Sequence, residues 1–529
     1  MLATLLSSTL AGLDGRVIRV EVDVAPGLPG FAIVGLADAA LQEARERVRG
    51  AIRNAGYVHP PRRITVNLAP ADLRKAGASL DLAIAVGILL GSEQVRGASG
   101  RLAMIGELSL GGEVRTVPGI LPLTAALARR GVRRVVVATD AVDEARLVDG
   151  VEVIGAATLR EAADAIRARQ RRRPLTAPPR IELAVAVPGS VDAGSAAGGD
   201  DDLEMDRWAG VPDLAEVRGQ LEARRALEIA LAGGHGLLLE GPPGSGKTLL
   251  ARTIPRLLPP LGDREALAAT IVASVAGEIP IRGLLRRAPV RSPHHTLSYA
   301  AMVGGGPRMS PGEVTLADHG VLFLDELPEF SRDVLEALRQ PMEDGHVSIA
   351  RVGRATRFPA RFQLVAAMNP CPCGMAGDTD LSCTCPPGVP ERYAGRISGP
   401  LRDRIDLWIT MPKVPPAALV GAGQPEPSAI VAERIAAARA VQVGRTGVLN
   451  GRLAGASLRA ACGLSPVLAR RAIDLADLEA LSGRGTERLL RVARTIADLR
   501  EASAIRVEDL DEASRFRSPA ARLRAREAS

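Results

Sequence analysis

Gly236-Leu237-Leu238-Leu239-Glu240 runs without a break into Gly241-Pro242-Pro243-Gly244-Ser245-Gly246-Lys247-Thr248, and this stretch decides the fold. A short apolar strand ends in a glycine-rich turn, and a helix starts at Lys247. Glycines let successive backbone N–H groups converge on phosphate oxygens. The lysine reaches the β- and γ-phosphates, and the Thr248 hydroxyl is placed to ligate Mg²⁺. Of the 67 Lys and Arg residues only three are Lys, namely Lys75, Lys247 and Lys413. One ammonium is thus kept where a slim point charge must close around phosphate, a task for which a planar guanidinium is bulky. The residues from Gly241 to Thr248 are read as the grip on a nucleoside triphosphate.

Working outward, 529 residues exceed one hydrophobic core and imply several domains. A hydrophobic fraction of 47% is globular, while 2% aromatic leaves few platforms for stacking single-stranded bases. The net charge of +7 permits an anionic partner such as nucleic acid, and coding bias toward Arg explains it equally well. No run reaches the ~18 apolar residues of a membrane helix. The apolar start, residues 1–13, lacks a basic leader and passes into the alternating run Val17-Ile18-Arg19-Val20-Glu21-Val22-Asp23-Val24. A cytoplasmic protein without a membrane partner is expected.

Residues 1–168 read as an α/β unit: strands at 17–24, 31–35 and 64–68, helices at 38–54 and 80–90, and short buried strands at 135–138 and 151–154. Residues 169–206 pass through Arg171-Arg172-Arg173-Pro174, then Gly/Ala/Ser, then Asp200-Asp201-Asp202, the composition of a flexible linker. A second unit spans 207–412, a Pro/Ala/Gly linker 413–427, and helical patterns at 429–442, 465–481 and 486–502 fill 428–516. A basic tail, 517–529, closes the chain.

Val321-Leu322-Phe323-Leu324-Asp325-Glu326 is an apolar strand ending in two carboxylates. Downstream of a phosphate loop, Asp325 would hold Mg²⁺ with Thr248, and Glu326 would polarise the attacking water. Asn369, after the apolar run 362–368, could orient that water from a neighbouring strand. Between them, Gly345 to Phe358 reads as a β-hairpin with a basic tip. Four of the five cysteines, Cys371, Cys373, Cys383 and Cys385, lie within fifteen residues. Four thiolates so spaced could hold tetrahedral Zn²⁺, stay reduced and free, or serve a redox role. Cys462 stands apart as a core residue.

These features together resemble the AAA+ ATPases of the magnesium-chelatase-like branch. Ser292-Pro293-His294-His295-Thr296, Val303-Gly304-Gly305-Gly306, Asn369-Pro370-Cys371-Pro372-Cys373-Gly374, Arg396-Ile397-Ser398-Gly399-Pro400 and Arg491 to Leu499 are similar to phrases of the YifB/ComM family, along almost the whole chain. The resemblance implies a P-loop core, a helical C-terminal lid and an insertion in the core's second helix, for which the surplus at 275–318 is available. It implies an arginine finger at Arg404, acting on ATP held by a neighbouring subunit of a hexameric ring. It further implies a lid arginine at Arg484, with Arg488 as competitor, and DNA contacts at Arg351, Arg354 and Arg357 on a hairpin aimed into the ring.

Pro29-Gly30-Phe31 to Leu36 and Lys75 to Ala85 resemble the proteolytic domain of Lon, a ribosomal S5 domain 2-like fold. In that family a Ser heading this helix pairs with a Lys some forty residues later. Ser79 occupies the Ser position, yet no Lys lies between 76 and 246. A hydroxyl without a base is a poor nucleophile, so Ser79 is expected to cap the helix and the domain to be an inactive Lon-like fold. The family likeness implies an ATP-driven DNA motor performing branch migration or helicase-like remodelling, in natural transformation or repair. The alternatives are a magnesium-chelatase-like ATPase subunit serving porphyrin metallation and, third, an ATP-dependent protease.

Overall fold

The computed structural model describes residues 1–35, 39–71, 73, 75, 77–97, 102–167, 210–306, 309–351, 354–377, 381–420 and 425–516. The expected linker at 169–206 and basic tail at 517–529 lie outside the described residues, as does Asp38 at the start of the first expected helix.

Residues 1–167 form a seven-stranded mixed sheet. Its order is Gly30–Val34, Arg63–Ala69, Asp14–Ala25, Leu2–Ala11, Leu102–Met104, Arg134–Ala138, Glu152–Ala156. The apolar N-terminus is therefore a strand, paired antiparallel with Asp14–Ala25 from Leu2↔Asp23 to Ala11↔Asp14. Alternation along Asp14–Ala25 buries Ile18, Val20, Val22 and Val24, which explains its period of two. The helix Asp81–Gly91 is apolar on all sides and buried at nearly every position, so it forms the centre of this domain. It lies so close to the sheet that a Cβ at Gly87 would come within 2.6 Å of Val22 Cγ2.

The second unit is built on a five-stranded, all-parallel sheet in the order Val290–Arg291, Val321–Leu324, Gln363–Met368, Leu237–Glu240, Leu407–Thr410. Parallel strands covered on both faces need continuous apolar runs, and Val321–Leu324 and Gln363–Met368 are buried at every position. Three of these strands are adjacent and deliver Asp325, Asn369 and Gly241 to one edge. Open α/β sheets bind their ligands at that carboxyl edge.

The surplus at 275–318 holds several elements. Val290–Arg291 within it is the edge strand of the sheet, and a small hairpin, Gly304–Gly305 with Ser310–Pro311, separates the short helices Tyr299–Val303 and Glu313–Leu316. The hairpin expected at 345–358 forms from His346–Arg351 and Arg354–Pro359, with Arg351 opposite Arg354 at the tip.

From residue 428 onward the described elements are helical: Ser428–Thr446, Gly455–Cys462, Pro466–Leu478, Gly483–Leu499 and Val507–Arg515, with a short 3-10 turn at Asn450–Arg452. They share a core with the sheet's helix Leu221–Gly233, through Ile229, Ile435 and Ile496 among others. The first domain docks on the helix Asp263–Ala276. Leu121, Leu147 and Val148 pack with Ile281, Leu267 and Ile271, and the Ser274 hydroxyl donates to Glu144. No described helix is long and apolar enough to cross a membrane.

Candidate active site

The phosphate loop leaves the strand Leu237–Glu240, and Gly244 and Gly246 adopt φ of 80° and 91°, a region glycine enters without Cβ strain. Lys247 opens the following helix and is 8% exposed. Its ammonium donates to the carbonyls of Gly241 at 2.6 Å and Pro242 at 2.9 Å, and to Asn369 Oδ1 at 3.2 Å. Burial draws its pKa below the usual lysine value, opposed by the charges of Asp325, Glu240 and Glu326. Main-chain carbonyls thus hold a cation that anionic oxygens would bind more strongly.

Thr248 Oγ1 donates to Asp325 Oδ2 at 2.7 Å. Adjacent oxygens on an octahedral Mg²⁺ stand about 2.9 Å apart, since its bonds are near 2.1 Å, so this pair fits that cation. Asp325 Oδ1 accepts from the backbone N–H of Glu326 at 2.9 Å. Glu326 itself has φ of 53°, a left-handed conformation that is uncommon outside glycine. That turn lifts its carboxylate out of the strand direction and toward His295 Nδ1, 3.2 Å away. His295 in turn stacks against His294 and meets Phe330 edge-on.

Lys247, Thr248, Asp325, Glu326 and Asn369 are therefore brought together, and His295 joins them. Its position two residues after Pro293 in Ser292-Pro293-His294-His295-Thr296 carried no assigned role in the sequence reading. No local signal marks it, because the edge strand Val290–Arg291 that delivers this run is itself placed by pairing with Val321–Leu324.

Arg404 is placed elsewhere. The backbone at 404–406 lies against Gly236, where a Cβ would be 3.0 Å from Arg404 O, and Asp406 N donates to Gly236 O. Gly236 precedes the strand whose far end is the phosphate loop, about 15 Å away at 3.3 Å per residue. The Arg404 guanidinium pairs with Glu343 and donates to Pro400 O at 2.6 Å. Arg488 is 6% exposed and reaches the carbonyls of Arg402 and Ile405 in the same segment, so its guanidinium is part of the packing. Arg484 is exposed one helical turn earlier on the same helix. Of the hairpin arginines, Arg357 is exposed and contacts His346 Nδ1 at 2.8 Å, while Arg351 and Arg354 are set by backbone register at the tip.

The four cysteines converge. Their Sγ atoms all lie within 4.8 Å of one another, and three separations are 3.3, 3.5 and 3.7 Å. Zinc–sulfur bonds of 2.3 Å in a tetrahedron put sulfurs about 3.8 Å apart, whereas a disulfide needs about 2.05 Å. The cluster could hold a metal ion. Backbone N–H groups of Met375, first, and Thr384 draw the Cys373 thiol down to about 5, favouring a thiolate. Cys462 is buried and donates toward Leu490 O, as expected of a core residue.

Ser79 does not cap the helix. The N-cap is Leu80, and the Ser79 hydroxyl donates across to Ser8 O at 3.0 Å. A strand carbonyl takes the hydroxyl that a cap would have turned to the helix N–H groups. Lys75 is fully buried and donates to Pro70 O.

Family models cover most of the described chain. Residues 213–419 match the magnesium chelatase subunit ChlI, residues 20–141 the "subunit ChlI of Mg-chelatase" model, and residues 425–517 the ChlI C-terminal model. The YifB protein of Escherichia coli (strain K12) is 41% identical over 96% of this chain and 95% of its own length. Competence protein ComM of Haemophilus influenzae is 40% identical over 98% of this chain and 97% of its own.

The chain belongs to the YifB/ComM family.

Membership puts it among magnesium-chelatase-like AAA+ ATPases, for which ATP and Mg²⁺ are implied. The minichromosome maintenance protein MCM of Saccharolobus solfataricus is similar more distantly, 25% identical over 32% of this chain and 24% of its own.

Proposed function

We propose that this chain is the ATP-hydrolysing subunit of a homo-oligomeric ring that moves along DNA, acting on branched recombination intermediates. The observation that carries the reading is the separation of Arg404 from the phosphate loop, at the opposite end of the strand Leu237–Glu240. An arginine so placed cannot serve its own nucleotide, but it can serve one bound by a second copy, and repetition of that contact closes a ring.

Within each shared site the roles follow from position. Lys247 and the loop N–H groups grip the phosphates. Thr248 and Asp325 would hold Mg²⁺, which would supply positive charge to the bound triphosphate. Glu326 accepts a proton from the attacking water, with His295 steadying its carboxylate and Asn369 orienting the water. Arg404, supplied by the neighbour, offsets charge developing on the γ-phosphate, and Arg484 acts as the lid arginine. The helical end, 428–516, would be the lid, and the fold of residues 1–167 an inactive Lon-like domain; recombination ATPases of the RadA type carry a similar one. The cysteine cluster would hold structural Zn²⁺ through Cys371, Cys373, Cys383 and Cys385.

DNA is favoured as the track by the net charge of +7 and by the hairpin whose tip pairs Arg351 with Arg354. The relative ComM is named a competence protein, in keeping with DNA as partner. The magnesium-chelatase alternative shares this core, and the two separate in one assay. ATP turnover should rise with four-way-junction DNA and stay flat with protoporphyrin or casein. Stimulation by protoporphyrin alone would overturn the DNA reading. Arg354→Ala should lower DNA affinity and flatten its dependence on salt while leaving basal turnover in place; an unchanged slope removes the hairpin from the track.

A further inference from the structure

The cysteine cluster does not sit apart from the ATP site. It begins two residues after Asn369, whose Oδ1 is bonded to Lys247, and it touches the phosphate loop a second time through Gly374. Gly374 has φ of 81°, and a Cβ built there would fall 2.4 Å from Pro243 Cδ and 2.7 Å from its Cγ. Only a residue without a side chain lets this turn lie flat on the loop. The turn is fixed to the cluster by Gly374 N donating to Cys371 O at 2.9 Å and by Ala376 N donating to Cys371 Sγ at 3.3 Å.

Little else orders this segment. Among the described residues between 369 and 388 no helix or strand is formed. Cys371 is buried, but Cys383 is exposed and Cys373 and Cys385 are half-exposed, so apolar packing is not what gathers the four sulfurs. Four thiols within 4.8 Å, three of them outside the packed core, fit the ligand set of a thiophilic cation.

Resting on the reading of this cluster as a zinc site, we propose that the bound divalent cation braces the phosphate loop, so that metal occupancy sets how tightly the chain holds nucleotide. The cation closes a loop that bears on Pro243 from one side and fixes Asn369 against Lys247 from the other. Its binding free energy orders a segment that lacks a core of its own. Removal would free Gly374 and Asn369, and Lys247 would lose a defined neighbour at the position where phosphate binds.

The test uses the full chain. Metal content is measured by mass spectrometry, and cobalt replaces zinc so that thiolate-to-cobalt absorption reports the ligand set. Affinity for a fluorescent ATP analogue is then compared in the loaded protein, in protein stripped with a zinc-selective chelator and returned to Mg²⁺, and in reloaded protein. We expect one zinc per chain and a loss of nucleotide affinity of about tenfold on stripping, reversed by zinc and not by further Mg²⁺. The double variant Cys383→Ser, Cys385→Ser removes two ligands while leaving the Gly374 turn unaltered in sequence, and should match the stripped protein. Gly374→Val should keep its cobalt spectrum and still bind nucleotide more weakly. Stoichiometric zinc with stripped affinity within about twofold of the loaded protein would overturn the brace and leave the zinc reading standing. Absence of both zinc and the cobalt–thiolate spectrum would overturn both. If the loaded protein held no nucleotide, the ATP reading would fall instead.

Discussion

Lys75 and Lys247 make a natural pair. Both are buried, at 0% and 8% exposure, and both point an ammonium at main-chain carbonyls, Pro70 in one case and Gly241 and Pro242 in the other. Their surroundings differ. Around Lys247 three carboxylates act on its charge, a hydroxyl and a carboxylate stand 2.7 Å apart at Thr248 and Asp325, and glycine φ values open the backbone. Four residues after Lys75, the Ser79 hydroxyl donates its hydrogen bond to Ser8 O. A buried cation is not a site by itself. It becomes one when neighbouring polar groups retain capacity for a substrate, as Thr248 and Asp325 do beside Lys247.

The contrast can be broken most severely at Lys247. Lys247→Ala should lower ATP affinity about 100-fold or more and abolish turnover, because a desolvated anion contact is lost; binding measured by fluorescent nucleotide at wild-type strength would refute the phosphate-loop assignment. Arg404→Ala should cut turnover about 1,000-fold while leaving binding in place. Mixed with Lys247→Ala protein it should recover activity, since some interfaces then carry both an intact lysine and an intact arginine. No recovery in a demonstrably mixed oligomer would argue that Arg404 does not act between subunits.

Glu326→Gln should bind ATP and hydrolyse it about 100-fold more slowly. Wild-type turnover in that variant would remove Glu326 as the base. At the other lysine the effects should be structural. Lys75→Met should cost about 1–3 kcal/mol of stability in denaturant unfolding without changing ATP turnover, and Ser79→Ala should change neither by much. Peptidase activity that vanished in Ser79→Ala would contradict an inactive first domain.

Much of this was legible along the chain. Wherever a short apolar run met a turn signal, at 64–68, 237–240, 321–324 and 362–368, a strand formed within a residue or two, because a fully buried strand demands such a run. Less visible elements were those with weak patterns of their own. Gly455–Cys462 was not anticipated as a helix: only Leu458 and Cys462 in it are buried, too few to show a period. Val290–Arg291 is a two-residue strand whose place is decided by pairing with Val321–Leu324. Ser79 carried a sound local expectation as a cap, and a strand carbonyl distant in sequence overrode it.

What the sequence alone determined was the chemistry on offer. Lys247, Thr248, Asp325, Glu326, Asn369 and the four cysteines were identifiable because each sits at a local feature, a strand end or a tight spacing, that residue types announce. Tertiary structure decided their company. Strand order brings three strand ends to one edge and sends Arg404 to the opposite one, His295 meets Glu326 across 31 positions, and the cysteine turn settles on Pro243. Local sequence carries backbone propensity and side-chain chemistry, but contact between distant segments is set by how whole sheets and helices pack.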